Sequence, residues 1–252
     1  YNFWTRKKHV LIMKKIVLVF IAFASVSAVF AQEKKSKKKI DLANRAGDHL
    51  MLQLGSDTWM GVPDSIKSHK KGLSRGGNIY VMMDKPFKNN PRFSAGFGIG
   101  IGTSNMYFKN YSIDIKSTST KLPFISLDSA DRFKKYKIST AFLEVPVELR
   151  FTADPEKSSK SLKAAIGVKV GTLINVHTKG KILQNKNGGT INTYTAKENG
   201  KRHFNTTRLA VTGRIGYGNF SLFGSYQVNN LLKDGVGPDI KPLQIGICVS
   251  GL

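Results

Sequence analysis

Seven charged side chains in three alternating segments hold most of the chemical potential of this sequence: Glu144, Glu148 and Arg150, then Lys163 and Lys169, then Arg208 and Arg214. Carboxylates such as Glu144 and Glu148 could form an acid–base pair for proton transfer. Their setting argues for another role. Leu143, Val145, Val147, Leu149 and Phe151 hold one parity, while Glu144, Glu148 and Arg150 hold the other, which describes a strand with one apolar and one charged face. Charges at interior strand positions are costly unless water or an opposite charge receives them. With both signs present on the polar parities, the expectation is a structural ion-pair network lining an interior.

Other constellations are weaker. His49 falls at the start of the first alternating segment, and His69, His177 and His203 fall in or beside long connections, with no distinctive spacing to a serine or an acid. A nucleophile needs a base beside it, so a membrane-embedded hydrolase acting on lipid through His177 or His203 is the lesser alternative. Gly96, Gly98, Gly100 and Gly102 do not make a dinucleotide fingerprint, because no helix follows to receive a phosphate. No His, Cys, Asp or Glu grouping has metal-ligand spacing, so neither a metal nor a cofactor is expected. The lone Cys248 cannot form an internal disulfide and reads as a small buried residue.

The elements that would position these residues are strands. Alternation predicts them at residues 48–55, 77–85, 92–103, 137–152, 161–177, 204–217, 219–227 and 241–250. Connections 56–76, 104–136, 178–203 and 228–240 are long, whereas 86–91, 153–160 and 218–219 are short. Bacterial outer-membrane barrels show that asymmetry, with short periplasmic turns and long external loops. Gly218-Asn219 supplies the positive φ of a tight hairpin, and Asn89-Asn90-Pro91 and Asp154-Pro155-Glu156 punctuate the other short turns. The fold class expected is all-β, an eight-stranded antiparallel up-and-down transmembrane β-barrel.

Periodicity alone does not say which face points outward, but the glycines do. Gly96 to Gly102 oppose Phe97, Ile99 and Ile101, and Gly167 and Gly171 share a parity with Lys163 and Lys169. Glycine weakens a strand, yet the crowded interior of a small barrel rewards absent side chains. Aromatics gather at the short-turn ends (Phe87, Phe93, Phe151, Tyr217, Phe220) and at the long-loop ends (Tyr107, Phe108, Tyr136, Phe204, Tyr226), as two interface girdles would require. An eight-stranded interior is just wide enough to be filled by side chains, so the network is expected to plug it; a narrow ion or small-solute channel is the alternative. Pro146 cannot donate to a ladder, which implies a bulge or local gap there.

Residues 13–31 read as a signal peptide, with Met13-Lys14-Lys15, an apolar run over 16–30 and small-residue cleavage after Ala31. That run is short of the ~20 residues a spanning helix needs. Residues 1–12 read as upstream translation, 32–46 as a basic periplasmic segment and 47–252 as the barrel, which places the protein in the outer membrane. Forty basic against 16 acidic residues give a net charge of +24, and the five cations before residue 32 leave +19 on the exported part. Export removes nucleic acid as a partner and leaves outer-membrane lipid and lipopolysaccharide phosphates. Asp64-Ser65-Ile66 and Asp128-Ser129-Ala130 match the short O-glycosylation pattern of exported Bacteroidetes proteins.

The run Ala141-Phe142-Leu143-Glu144-Val145-Pro146-Val147-Glu148-Leu149-Arg150-Phe151 resembles the Leu-Glu-Ile-Pro-Leu strand of PorT-type outer-membrane β-barrel proteins of Bacteroidetes. The glycine alternation over 94–102, the ending Pro242-Leu243-Gln244-Ile245-Gly246-Ile247 and the leader ending Phe-Ala-Gln are similar too. The resemblance implies a non-enzymatic structural or accessory role, with an envelope or secretion protein as partner. The basic segment 33–39 and the basic loops depart from the family pattern.

Overall fold

The structure, a computed structural model, describes residues 50–251. The expected leader, the upstream and basic segments, His49 and the first two residues of the first predicted strand lie outside the described residues. In chain order the elements are β1 (Leu50–Met60), a one-turn helix α1 (Asp64–Lys67), β2 (Ser74–Pro86), β3 (Phe93–Phe108), β4 (Tyr111–Ile113), β5 (Phe124–Ser126), β6 (Arg132–Thr152), β7 (Leu162–Gln184), β8 (Thr190–Asn199), β9 (Thr207–Tyr217), β10 (Phe220–Gln227) and β11 (Lys241–Ser250). Pairing runs β1–β2–β3–β6–β7–β9–β10–β11 and returns to β1, antiparallel throughout. Closing the ring leaves these eight strands no unpaired edge within the bilayer, where an unmet backbone donor is expensive.

The apolar parity points out. Leu54, Ile79, Val81, Ile99, Val145, Val168, Ile215, Leu222 and Ile247 are all exposed, several by more than half. A water-soluble barrel does not leave a continuous belt of that kind bare, so the belt is the lipid-facing surface. Gly96 and Gly102 sit inside, where a Cβ at Gly102 would stand 2.7 Å from Glu144 Oε2 and one at Gly96 would run into the Arg150 guanidinium. At the Tyr217–Phe220 hairpin only Gly218 takes a positive φ, +61°, the pattern of a II′ turn.

Pro146 interrupts one ladder only. Pairing of β6 with β3 stops at Val147↔Phe97 and resumes at Glu144↔Gly100, while pairing with β7 runs through Pro146↔Lys169 without a break. The missing N–H therefore costs a local gap on the β3 side. The bulge lies elsewhere: β7 carries Ile174 as an extra residue between Leu173↔Phe142 and Asn175↔Ala141.

Several expectations need correction at the long-loop end. β1, β3, β6 and β7 overreach their predicted limits by five to seven residues there, β8 occupies a segment expected to be loop, and α1 and the β4–β5 hairpin add structure to two connections. β7 has 23 residues, about 75 Å of strand at ~3.3 Å per residue, far more than the 9–11 needed to cross. The external girdle also fails as described. Phe108, Tyr136 and Phe204 are buried with Trp59, Ile66, Tyr111, Ile113, Ile115, Leu122, Leu231, Leu232 and Ile240 in an apolar core built by the long connections. Phe108 and Tyr136 share the inward parity of their strands, so they cover the barrel mouth, and only Tyr107 and Tyr226 of the set stay half-exposed. At the short-turn end Phe87, Phe93, Tyr217 and Phe220 are exposed as a girdle requires, with Phe151 half-buried.

Candidate functional site: a filled polar interior

β6 delivers Glu144, Glu148 and Arg150 to the interior, β7 delivers Lys169, and β9 delivers Arg208 and Arg214; all are buried. They form two clusters stacked along the axis. In the one nearer the long loops, Arg208 Nη1 donates to Glu144 Oε1 at 2.8 Å and the Tyr80 hydroxyl donates to Glu144 Oε2 at 2.5 Å. Lys169 Nζ donates to the Tyr80 oxygen at 3.0 Å and to Gln53 Oε1 at 3.2 Å, with its charge 4.9 Å from the Tyr80 ring centroid. Amides carry the chain onward. Asn78 Nδ2 donates to Gln53 Oε1 and Gln244 Oε1, and Gln244 Nε2 donates to Asp57 Oδ1 at 2.9 Å.

In the second cluster Glu148 Oε2 accepts from Arg150 Nε at 3.0 Å and from Arg214 Nη2 at 3.1 Å. Arg150 Nη1 also lies 3.5 Å from Asp84 Oδ1, and Arg214 Nη1 donates to Ser250 Oγ at 3.3 Å. Lys163 is on the inward parity but stands half-buried at the short-turn mouth, beside Arg214 and Ser250 around a void of about 10 Å³. Met51, Met82, Phe223 and Cys248 form a small apolar cluster with the Tyr80 ring inside, with Cys248 a buried free thiol.

Glu144, Glu148 and Asp84 thus each face at least one guanidinium, an arrangement in which attraction offsets desolvation, whereas Asp57 is held by the Gln244 amide and the Asn105 N–H. Glu144 has both oxygens engaged, and Glu148, 2% exposed, shares its Oε2 between two guanidiniums, so neither is poised to exchange protons with a substrate. Tyr80, Gln53, Asn78, Asp57, Asp84 and Gln244 joined the network without being anticipated. Their signal was available: Tyr80 lies between Ile79 and Val81, Gln53 between Leu52 and Leu54, and Gln244 between Leu243 and Ile245, so each stands on the parity opposite a lipid-facing pair.

The histidines do other work. His203 is buried and its Nε2–H donates to the Ser119 carbonyl at 2.9 Å, while His177 is half-buried on the outer face opposite Ser139. His69 is the informative one. Its Nδ1–H donates to the Ser65 carbonyl at 2.8 Å, so Nε2, 3.0 Å from Asp128 Oδ2, carries a proton only in the imidazolium form. Asp128 also accepts from Ser126 Oγ and Asn110 Nδ2, and the His69 ring stacks on Tyr111 at 4.6 Å. Because both ring nitrogens are committed, this serine–histidine–aspartate group pins connection to connection and offers no base to a nucleophile.

The hydrogen bond that His69 donates to Asp128 raises the His69 pKa above its ordinary 6.5, and the bonds Asp128 accepts from His69, Asn110 and Ser126 lower the Asp128 pKa from 3.8 to about 2. For His69 the stabilisation is complete below 6.5 and is lost as pH rises through the raised value; for Asp128 it is complete above 3.8 and lost as pH falls through about 2. The pin therefore holds fully between about pH 4 and 6.5 and loosens above. An NMR titration of His69 should give a midpoint above 6.5 that returns toward 6.5 in Asp128→Asn. An unchanged midpoint in that variant would remove Asp128 as the cause.

A closed antiparallel ring of eight strands, apolar outside and polar inside, defines an integral barrel of the bacterial outer membrane. The chain belongs to the outer membrane protein beta-barrel domain family, whose family model matches residues 30–232. No curated protein matches the chain.

Proposed function

We propose that this outer-membrane barrel is a closed, non-enzymatic scaffold with a structural or accessory role, holding its external connections rigid for an envelope or secretion partner. The observation that carries this reading is an interior filled along its length, by the Glu144 and Glu148 clusters below and the apolar core around Phe108 and Leu232 above. A conducting pore needs a continuous wet path, and the guanidinium–carboxylate pairs at Glu144 and Glu148 lie across the interior where that path would run; a hydrolase needs a base within reach of its substrate, and burial holds Glu144 and Glu148 away from lipid. The PorT-type motif over residues 141–151 supports a link to secretion or envelope assembly, in which the basic residues 34–39 and the basic connections would dock the partner.

The test is electrical. Protein refolded into a planar bilayer should give no steady conductance, and Glu148→Ala combined with Arg150→Ala and Arg214→Ala should admit at most brief openings while the cap persists. Stable, ion-selective steps from the wild type would replace the scaffold with a channel. Repeated purification of the tagged barrel from outer membranes without a stoichiometric companion would count against the accessory role.

A further inference from the structure

The strands that overreach the membrane carry a feature the filled interior does not use. Beyond the Ile174 bulge, β6 and β7 set Lys137 directly opposite Lys179 and Lys135 opposite Lys181, and Lys179 in turn opposes Lys197 on β8. Like charges placed directly across a ladder repel. Among the described residues the cleft of about 250 Å³ that they border is lined by Tyr107, Lys135, Tyr136, Lys137, Lys179 and Lys181, with no carboxylate in that lining. Lys137 is also held in place, donating from Nζ to Asn105 Oδ1 at 2.6 Å and lying 5.7 Å from the Tyr107 ring centroid. Repulsion built into an ordered surface is a cost that an anionic ligand would remove.

Position narrows the ligand. Lys135 and Lys137 share the outward parity of Val145 and Leu143, so they face lipid neighbours, not the interior. Lys137 is six residues beyond Leu143, the last apolar residue of the exposed belt on β6, or about 20 Å along the strand and about 14 Å in height at a ~45° tilt. That height stands above the ~5–8 Å polar layer over the hydrocarbon on the long-loop side, and long lysine stems extended back toward the membrane bring their ammonium groups to its phosphates.

We propose that the Lys135–Lys137–Lys179–Lys181 cleft binds phosphate esters on the glycolipid of the outer leaflet. The ammonium groups donate charge-assisted hydrogen bonds to the phosphate oxygens, and Tyr107 and Asn105 flank the site for the adjoining sugar. The site requires only the outer-membrane barrel and stands apart from the scaffold role, so loss of either leaves the other intact.

Full-length protein in phosphatidylcholine nanodiscs doped with lipid A is the system to test it. Native mass spectrometry should show bisphosphorylated lipid A retained about tenfold over the same lipid stripped of its phosphates, and added salt should erode that preference. The combined variant Lys135→Gln, Lys137→Gln, Lys179→Gln and Lys181→Gln should lose the preference, whereas arginine at all four positions should keep it. Removing like charges relieves repulsion, so the glutamine variant should still show the heat-shifted gel band of a folded barrel; the wild-type comparison of the two lipids decides the matter even without it. Equal retention of the two lipids by the wild type, an unchanged preference in a folded glutamine variant, or full displacement by inorganic phosphate at matched phosphate concentration would each overturn the glycolipid site.

Discussion

Glu144→Ala should destabilise the barrel by about 3–5 kcal/mol, because it leaves two buried cations without their anion. Arg208 would lose its 2.8 Å partner, and the Tyr80 hydroxyl, which relays Lys169 to the same carboxylate, would lose its acceptor. The surrounding space cannot simply collapse, since Gly102 and Gly171 already place backbone against the Glu144 side chain. Glu144→Gln should cost less, as an amide oxygen still accepts one of the two bonds. Urea-induced unfolding in lipid vesicles would measure both, and a double-mutant cycle with Arg208→Ala should return a coupling above about 1 kcal/mol. An alanine variant within 1 kcal/mol of wild type would mean that water already penetrates the cluster.

Phe108→Ala should cost about 3–5 kcal/mol within the external core, the range for truncating a fully buried aromatic. Phe108 is 1% exposed and stands edge-on to Trp59 at 5.6 Å and stacked on Tyr111 at 5.7 Å, so its removal takes contacts from two partners at once. The consequence is local. Phe108 is the last residue of β3, its backbone pairing with Tyr136 survives truncation of the side chain, and the Glu144 and Glu148 clusters do not touch it, so the heat-shifted gel band should persist while protease added outside intact vesicles cuts the connections over 109–131 and 200–206 faster. Loss of the folded band together with loop protection would show instead that cap and ring unfold as one cooperative unit.

Barrel strands were legible wherever lipid faced them. β11 was placed at its observed limits, and β10 missed by a single residue, because the bilayer demands apolar residues at every second position. Legibility ended where the lipid ends. Above Leu143 the outward residues of β6 become Ala141, Ser139, Lys137 and Lys135, so the apolar pattern stops although backbone pairing continues to Arg132. β8 shows the extreme case: nearly every residue from Thr190 to Asn199 is exposed, and its pairing with β7 rests on hydrogen bonds that leave no trace in hydropathy. The aromatics at strand ends were ambiguous for a related reason. Phe108 and Tyr136 could sit in an interface or in a core, and only the course of the long connections put them in a core.

The sequence by itself determined the two-faced strands, their antiparallel order and the inward parity of Glu144, Glu148, Arg150, Lys169, Arg208 and Arg214, since period-2 alternation is a local property dictated by the solvent on each side. Tertiary structure alone decided which cation meets which carboxylate, that Tyr80 and the amides join them, and that the external mouth is roofed by apolar side chains. Those outcomes depend on register across strands distant in sequence and on loop packing, where a single residue of shift would change every partner.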